Sequence, residues 1–147
     1  MSANLNATSP YRPAYSPAYH STVLLVSRVF LAGVFIVFGI RKLLAVTGTV
    51  GYFTKLGLPM PEILVWLVIL VEVGGGILLV IGWRTRLVAW ILAGFVVLAT
   101  LAAHRYWEMD AAQYVPQLTN FMKNLAIAGG LLSLAAMGAG RYSVDKH

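Results

Sequence analysis

Four runs of apolar residues, near 22–43, 62–82, 87–104 and 121–140, constrain this chain more than any motif in it. Each is close to the roughly 20 residues that an α-helix needs to cross a hydrocarbon core of about 30 Å. In lipid, backbone N–H and C=O groups have no water to turn to, so an isolated apolar run of this length must be helical. The expected fold is all-α, an integral membrane bundle of four transmembrane helices in up-down-up-down order over residues 22–141. A polar tail carrying Tyr11, Tyr15, Tyr19, Pro13 and Pro17 occupies 1–21 and is expected to be disordered, and a short tail covers 142–147.

Composition supports the same class. Hydrophobic residues make up 59% of the chain and charged residues 11%, whereas ordinary soluble domains are roughly 45–50% apolar even with glycine counted. A soluble domain of this size leaves much of its surface in water and could not hide so much apolar material. Trp66, Trp83, Trp90 and Trp107 fall at or near the ends of the runs, the depth at which indoles settle in a membrane. Gly74-Gly75-Gly76 and the pairs Ala89/Ala93, Ala99/Ala103 and Ala126/Gly130 offer small surfaces for close helix contact. Pro59, Pro61 and Pro116 are expected in connections, leaving the spans uninterrupted. The polar N-terminal stretch does not read as a signal peptide, because its basic content is a single arginine and the following apolar run is too long.

Eleven basic residues against five acidic ones give a net charge of +6. No basic run interleaved with aromatics forms a nucleic-acid footprint, so the excess reads as membrane topology and attraction to anionic lipid. Arg12, Arg84, Arg86, Arg141 and Lys146 lie on the side of the termini, and Arg41, Lys42, Lys55, Arg105 and Lys123 on the other. With Lys42 and Lys123 assigned to a site, the charge bias places both termini in the cytoplasm. The absence of cysteine removes disulfides, thiolate nucleophiles and thiol relays to a quinone. His104 is the one histidine near a span, so neither a bis-histidine haem nor a metal centre is expected.

Charged and amide side chains within the spans mark the candidate site, because such groups face the bundle interior and usually serve function. Arg28 and Glu72 lie at depths of about 9 and 15 Å from the same face at 1.5 Å per residue, which predicts an ion pair between them. That pair reads equally as a device that only fixes helix register. Toward the opposite face come Lys42, His104 and the stripe Asn120, Lys123 and Asn124, spaced by three and four. Together they predict a donor-rich pocket suited to a quinone carbonyl, a small oxyanion or a lipid head group. Taken singly, Lys42 reads as a snorkelling interfacial lysine and His104 as a helix-end residue.

The succession Arg28 … Phe38-Gly39-Ile40-Arg41-Lys42-Leu43, Gly57-Leu58-Pro59, Glu72-Val73-Gly74-Gly75 … Leu79 … Gly82, His104, Asn120-Phe121 … Lys123-Asn124 … Gly129-Gly130 resembles the DoxX family of small bacterial membrane proteins, over about residues 23–145. The resemblance implies a four-helix protein of the bacterial inner membrane. It also implies a link to redox systems, since the family takes its name from a subunit associated with thiosulfate:quinone oxidation. Three functions are then open. The chain is an accessory or quinone-interacting subunit of a membrane redox system, with no cofactor of its own beyond a bound quinone or lipid. Or it is a small proton- or ion-coupled transporter working through Glu72. Or it is a scaffold recruiting a soluble redox enzyme. Membrane lipids, a redox-enzyme subunit and a second copy of the chain are the expected partners.

Overall fold

The computed structural model describes residues 17–145, so the expectation of disorder over 1–16 lies outside the described residues. Helix α1 runs Pro17–Leu44 and α2 Val46–Lys55. A second long segment follows as α3, Pro61–Ile69, a π-helical turn, Leu70–Gly74, and α4, Gly75–Ile81. Helix α5 runs Thr85–Ala103 and α6 Ala111–Met137, with a 3-10 turn, Tyr106–Glu108, between them. Among the described residues three segments are long and apolar enough to cross a membrane: Ala18–Leu44, Pro61–Ile81 and Thr85–Glu108. The protein is thus an all-helical membrane protein.

Helix α1 begins at Pro17, where the rigid ring suits a first helical turn, and so takes in the last residues of the stretch expected to be tail. Helix α6 starts ten residues ahead of its apolar run because Asp110 caps it, its side chain accepting from the Gln113 N–H at 2.9 Å. Pro116 therefore lies inside α6 and not in a connection. It lies in the second turn of the helix and is exposed, and having no N–H it cannot donate to the Ala112 carbonyl. The stretch read as a plain connection after α1 also contains a helix, α2, whose Phe53 is buried against Val65 and Ile69 of α3.

Small residues set the spacing of the bundle. A Cβ on Gly76 would stand 2.6 Å from Ile36 Cγ1 and 3.2 Å from the Ala32 carbonyl oxygen, and one on Gly39 would stand 2.6 Å from Val73 Cγ2. Helix α1 and the second segment thus touch nearly backbone to backbone and run antiparallel, since Gly39 meets Val73 while Ala32 meets Gly76. Gly75 on the adjacent face receives Leu92 of α5. Helix α5 packs extensively on α6, and Ala32, Phe35, Leu79, Leu92, Leu131 and Leu134 form the buried centre. In lipid this close fit supplies the helix–helix attraction, because apolar burial alone gains little there. Trp66, Trp83, Trp90 and Trp107 are all exposed on the outer surface.

The chain does not stop at the end of α6. Gly138, at φ +86°, turns it back, and residues 138–145 form a strap across the near end of the bundle. The N–H groups of Val144 and Asp145 donate to the carbonyls of Ile81 and Gly82, each at 3.0 Å. The Asp145 carboxylate accepts from the backbone N–H of Arg84 at 2.9 Å and of Thr85 at 2.8 Å. It thereby supplies the N-cap of α5 that Arg84, itself at φ 45°, cannot.

Candidate functional site

Lys42 sits in the last turn of α1, and Glu72 lies within the π-turn of the second segment. Lys42 Nζ donates to both carboxylate oxygens, at 2.7 and 2.8 Å. The Glu72 side chain is 8% exposed and that of Lys42 24%. Lys42 also stands 5.8 Å from the centre of the Phe38 ring, within cation–π range.

This pair replaces the expected Arg28–Glu72 pair, and the reason is axial placement. Gly82 packs directly on the Arg28 guanidinium, which puts Arg28 level with the end of α4. Glu72 lies ten residues back from Gly82, about 15 Å along the axis, and Lys42 fourteen residues beyond Arg28, about 21 Å. Cα–Cβ bonds lean toward the N-terminus of their own helix. On antiparallel helices Lys42 and Glu72 therefore lean toward each other, while Arg28 leans away. The expectation measured depths of about 9 and 15 Å from span ends taken to be level. Arg28 itself is level with Gly82, so α1 projects beyond the end of α4 and the two groups stand about 15 Å apart along the axis. Arg28 is fully buried and donates from Nη2 to the Tyr142 carbonyl of the strap; its Nε and Nη1 have no hydrogen-bond partner among the described residues.

The π-turn has its own consequence. One extra residue in a turn shifts the faces on either side by about 100° relative to each other. Beside this turn Glu72 and Gly76 both face α1, while Gly75 faces α5. The adjacent glycines ease the departure from α-geometry, and such turns are frequent at functional positions.

Beside Lys42 opens a cavity of about 460 Å³ between α3 and α5, closed at one side by α2. Its walls are apolar, among them Phe53, Val68, Phe95, Leu98 and Ala102, and its polar groups are Lys42, Tyr52, His104 and Asn124. The size falls within the roughly 300–1,000 Å³ of small-molecule sites. Leu67 and Leu98, which line it, are also exposed on the outer surface of the apolar segments.

His104 ends α5, its N–H donating to the Thr100 carbonyl at 2.9 Å, and its Nδ1 lies 2.8 Å from Gln117 Oε1. An amide oxygen only accepts, so Nδ1 is the donor of this bond and Nε2 is left for another partner. Burial pushes the Tyr52 phenol above its ordinary pKa, so it remains a neutral hydroxyl.

Of the seven candidate residues, Lys42, His104 and Asn124 line this cavity, and Glu72 joins them through Lys42. Asn120 is half-buried and Lys123 exposed, and neither lines it. Arg28 belongs to the other end of the bundle. Gln117 and Tyr52 went unread in the sequence. Gln117 extends the stripe of Asn120 and Asn124 by one turn and is legible once α6 is known to start at Asp110. Tyr52 needed the recognition that α2 is a helix packed on α3.

The family model described as DoxX matches residues 23–105. The chain is 36% identical over 130 residues to inner membrane protein YphA of Escherichia coli, covering 88% of this chain and 93% of that protein. It is 39% identical over 123 residues to inner membrane protein YqjF of the same organism, covering 84% of this chain and 89% of that one. A more partial likeness, 30% identity over 90 residues, is to a Surfeit locus protein 4 homolog of Drosophila melanogaster, covering 58% of this chain and 33% of that protein. No solved structure matches the chain.

Proposed function

The chain belongs to the DoxX family, and from that premise we propose that it is an accessory subunit of a membrane redox system that binds a quinone-like amphiphile in the cavity between α3 and α5. One observation carries this reading: Lys42, His104, Asn124 and Tyr52 line one cavity whose other walls are apolar. The donor set fits such a head group. The Lys42 ammonium and the Asn124 amide donate to a carbonyl or phenolate oxygen, and His104 Nε2 pairs with a hydroxyl. The apolar walls suit an isoprenoid tail better than a free oxyanion would need. Lys42 is already neutralised by Glu72, so the site has no strong net charge for a small anion. A quinone supplies two-electron, two-proton redox chemistry, and a chain without cysteine leaves the electron donor to a partner subunit.

In this reading α6 is the fourth span, the bundle runs up-down-up-down, and both termini lie in the cytoplasm of a bacterial inner membrane. Arg84, Arg86 and Arg141 then form the positive-inside cluster. The experiment is a titration of the purified full-length protein with a short-chain ubiquinone, comparing wild type with His104→Ala and Asn124→Ala. Each variant is expected to weaken binding several-fold, as loss of one buried hydrogen bond does. Unchanged affinity in both would overturn the assignment of the cavity.

A further inference from the structure

A second polar cleft, of about 570 Å³, lies at the other end of the bundle, between the start of α1, the start of α5 and the strap. It is lined by His20, Arg84, Arg86 and Arg141 on the basic side, with Asp145 as the one acidic residue among its lining residues. The Asp145 carboxylate accepts the backbone N–H groups of Arg84 and Thr85, and its charge also acts on the Arg28 guanidinium, leaving four basic residues of the lining against this one carboxylate. Neither the Lys42–Glu72 pair nor the Arg105–Glu108 pair engages these arginines. Buried beneath the strap, Arg28 adds a further positive charge.

Two features say what the cleft faces. Exposed Tyr19, Trp83 and Tyr142 each stand next in sequence to a lining residue, His20, Arg84 and Arg141, and such aromatics mark a membrane–water boundary. A smaller, mostly apolar groove of about 230 Å³ between α1 and α6 shares Leu24 and Met137 with the cleft and is lined further by Ser27, Leu31, Ser133 and Leu134. Basic groups at head-group depth, adjoining a mostly apolar groove, complement an anionic head joined to an acyl chain.

We propose that this cleft and groove form a binding site for an anionic glycerophospholipid, its phosphodiester held by Arg86 and Arg141 and an acyl chain laid along Leu24, Leu31 and Met137. Gly138 fixes the wall of the site, since a side chain there would stand 3.2 Å from Arg86 Nε. The strap fixes the opposite side through the Arg141 N–H, which donates to Ser21 Oγ at 3.3 Å. The site is separate from the quinone cavity: Leu31, the residue of the groove furthest along α1, lies eleven residues, about 16 Å, short of Lys42.

The test is native mass spectrometry of the full-length protein released from nanodiscs containing equal phosphatidylglycerol and phosphatidylcholine. Wild type is expected to retain phosphatidylglycerol preferentially, and R86Q/R141Q to lose roughly ten- to thirty-fold of that preference, the loss expected of two basic residues at an anionic surface. The charge-matched variant R41Q/K55Q, on the other side of the bundle, is expected to keep it, and its equal loss would overturn the site. Retention of the preference in R86Q/R141Q would overturn it as well. In a further arm millimolar inorganic phosphate is added. Complete displacement of the lipid would show a free-oxyanion site and overturn the lipid assignment; persistence supports it.

Discussion

Lys42 and Glu72 close on each other from antiparallel helices, the lysine at the end of α1 grasping both carboxylate oxygens where the partner segment widens into a π-turn. Both charges lie where water is scarce, so each is tolerable because of the other. The pair also positions Lys42 in the lining of the cavity, tying the fold of the second segment to the candidate site.

Removing one member should therefore cost more than removing both. Lys42→Met leaves Glu72 buried without its cation and is expected to lower stability by about 3–5 kcal/mol. The double variant Lys42→Met/Glu72→Gln is expected to recover much of that loss. Reversible unfolding in mixed micelles measures both; a double variant no more stable than the single one would show that the pair is not a coupled unit.

Asp145 should matter to a helix that begins sixty residues earlier. Asp145→Ala removes the acceptor for the Arg84 and Thr85 N–H groups and is expected to cost about 1–2 kcal/mol, the range of a lost N-cap. Amide exchange at Arg84 and Thr85 is expected to quicken, while that of Leu131 in the centre stays slow.

Two glycine substitutions of equal size are expected to have opposite signs. Gly82, at φ +71°, lies against Arg28 and Ser143, so Gly82→Ala meets both a left-handed backbone and an occupied space. The backbone alone accounts for about 1–2 kcal/mol of destabilisation. Gly94 lies within α5 with nothing within 4 Å of an added Cβ, and Gly94→Ala is expected to stabilise by about 0.5–1 kcal/mol. Thermal unfolding of the two variants side by side checks the signs.

Filling the cavity should block the ligand without touching the polar groups. Ala102 lines it on α5, and Ala102→Phe is expected to reduce short-chain ubiquinone affinity at least ten-fold while unfolding stays cooperative. Wild-type affinity in this variant would place the ligand elsewhere.

The membrane class, the helical content and the rough position of the apolar runs were legible in residue order, because length and apolarity are local properties of a segment. Lys42, Glu72, His104 and Asn124 stood out as polar side chains in or beside apolar helices, which is also a local property. Their partners were not legible. Whether Glu72 meets Arg28 or Lys42 depends on the relative slide of two antiparallel helices, which leaves no mark in helical periodicity. The strap that seats Arg28 and caps α5 through Asp145 was equally invisible, because hydrogen bonds between residues far apart in sequence obey no spacing rule. Sequence alone determined which residues had to find partners inside the bundle; tertiary structure decided which, because partnership depends on axial level and side-chain direction once the helices have packed.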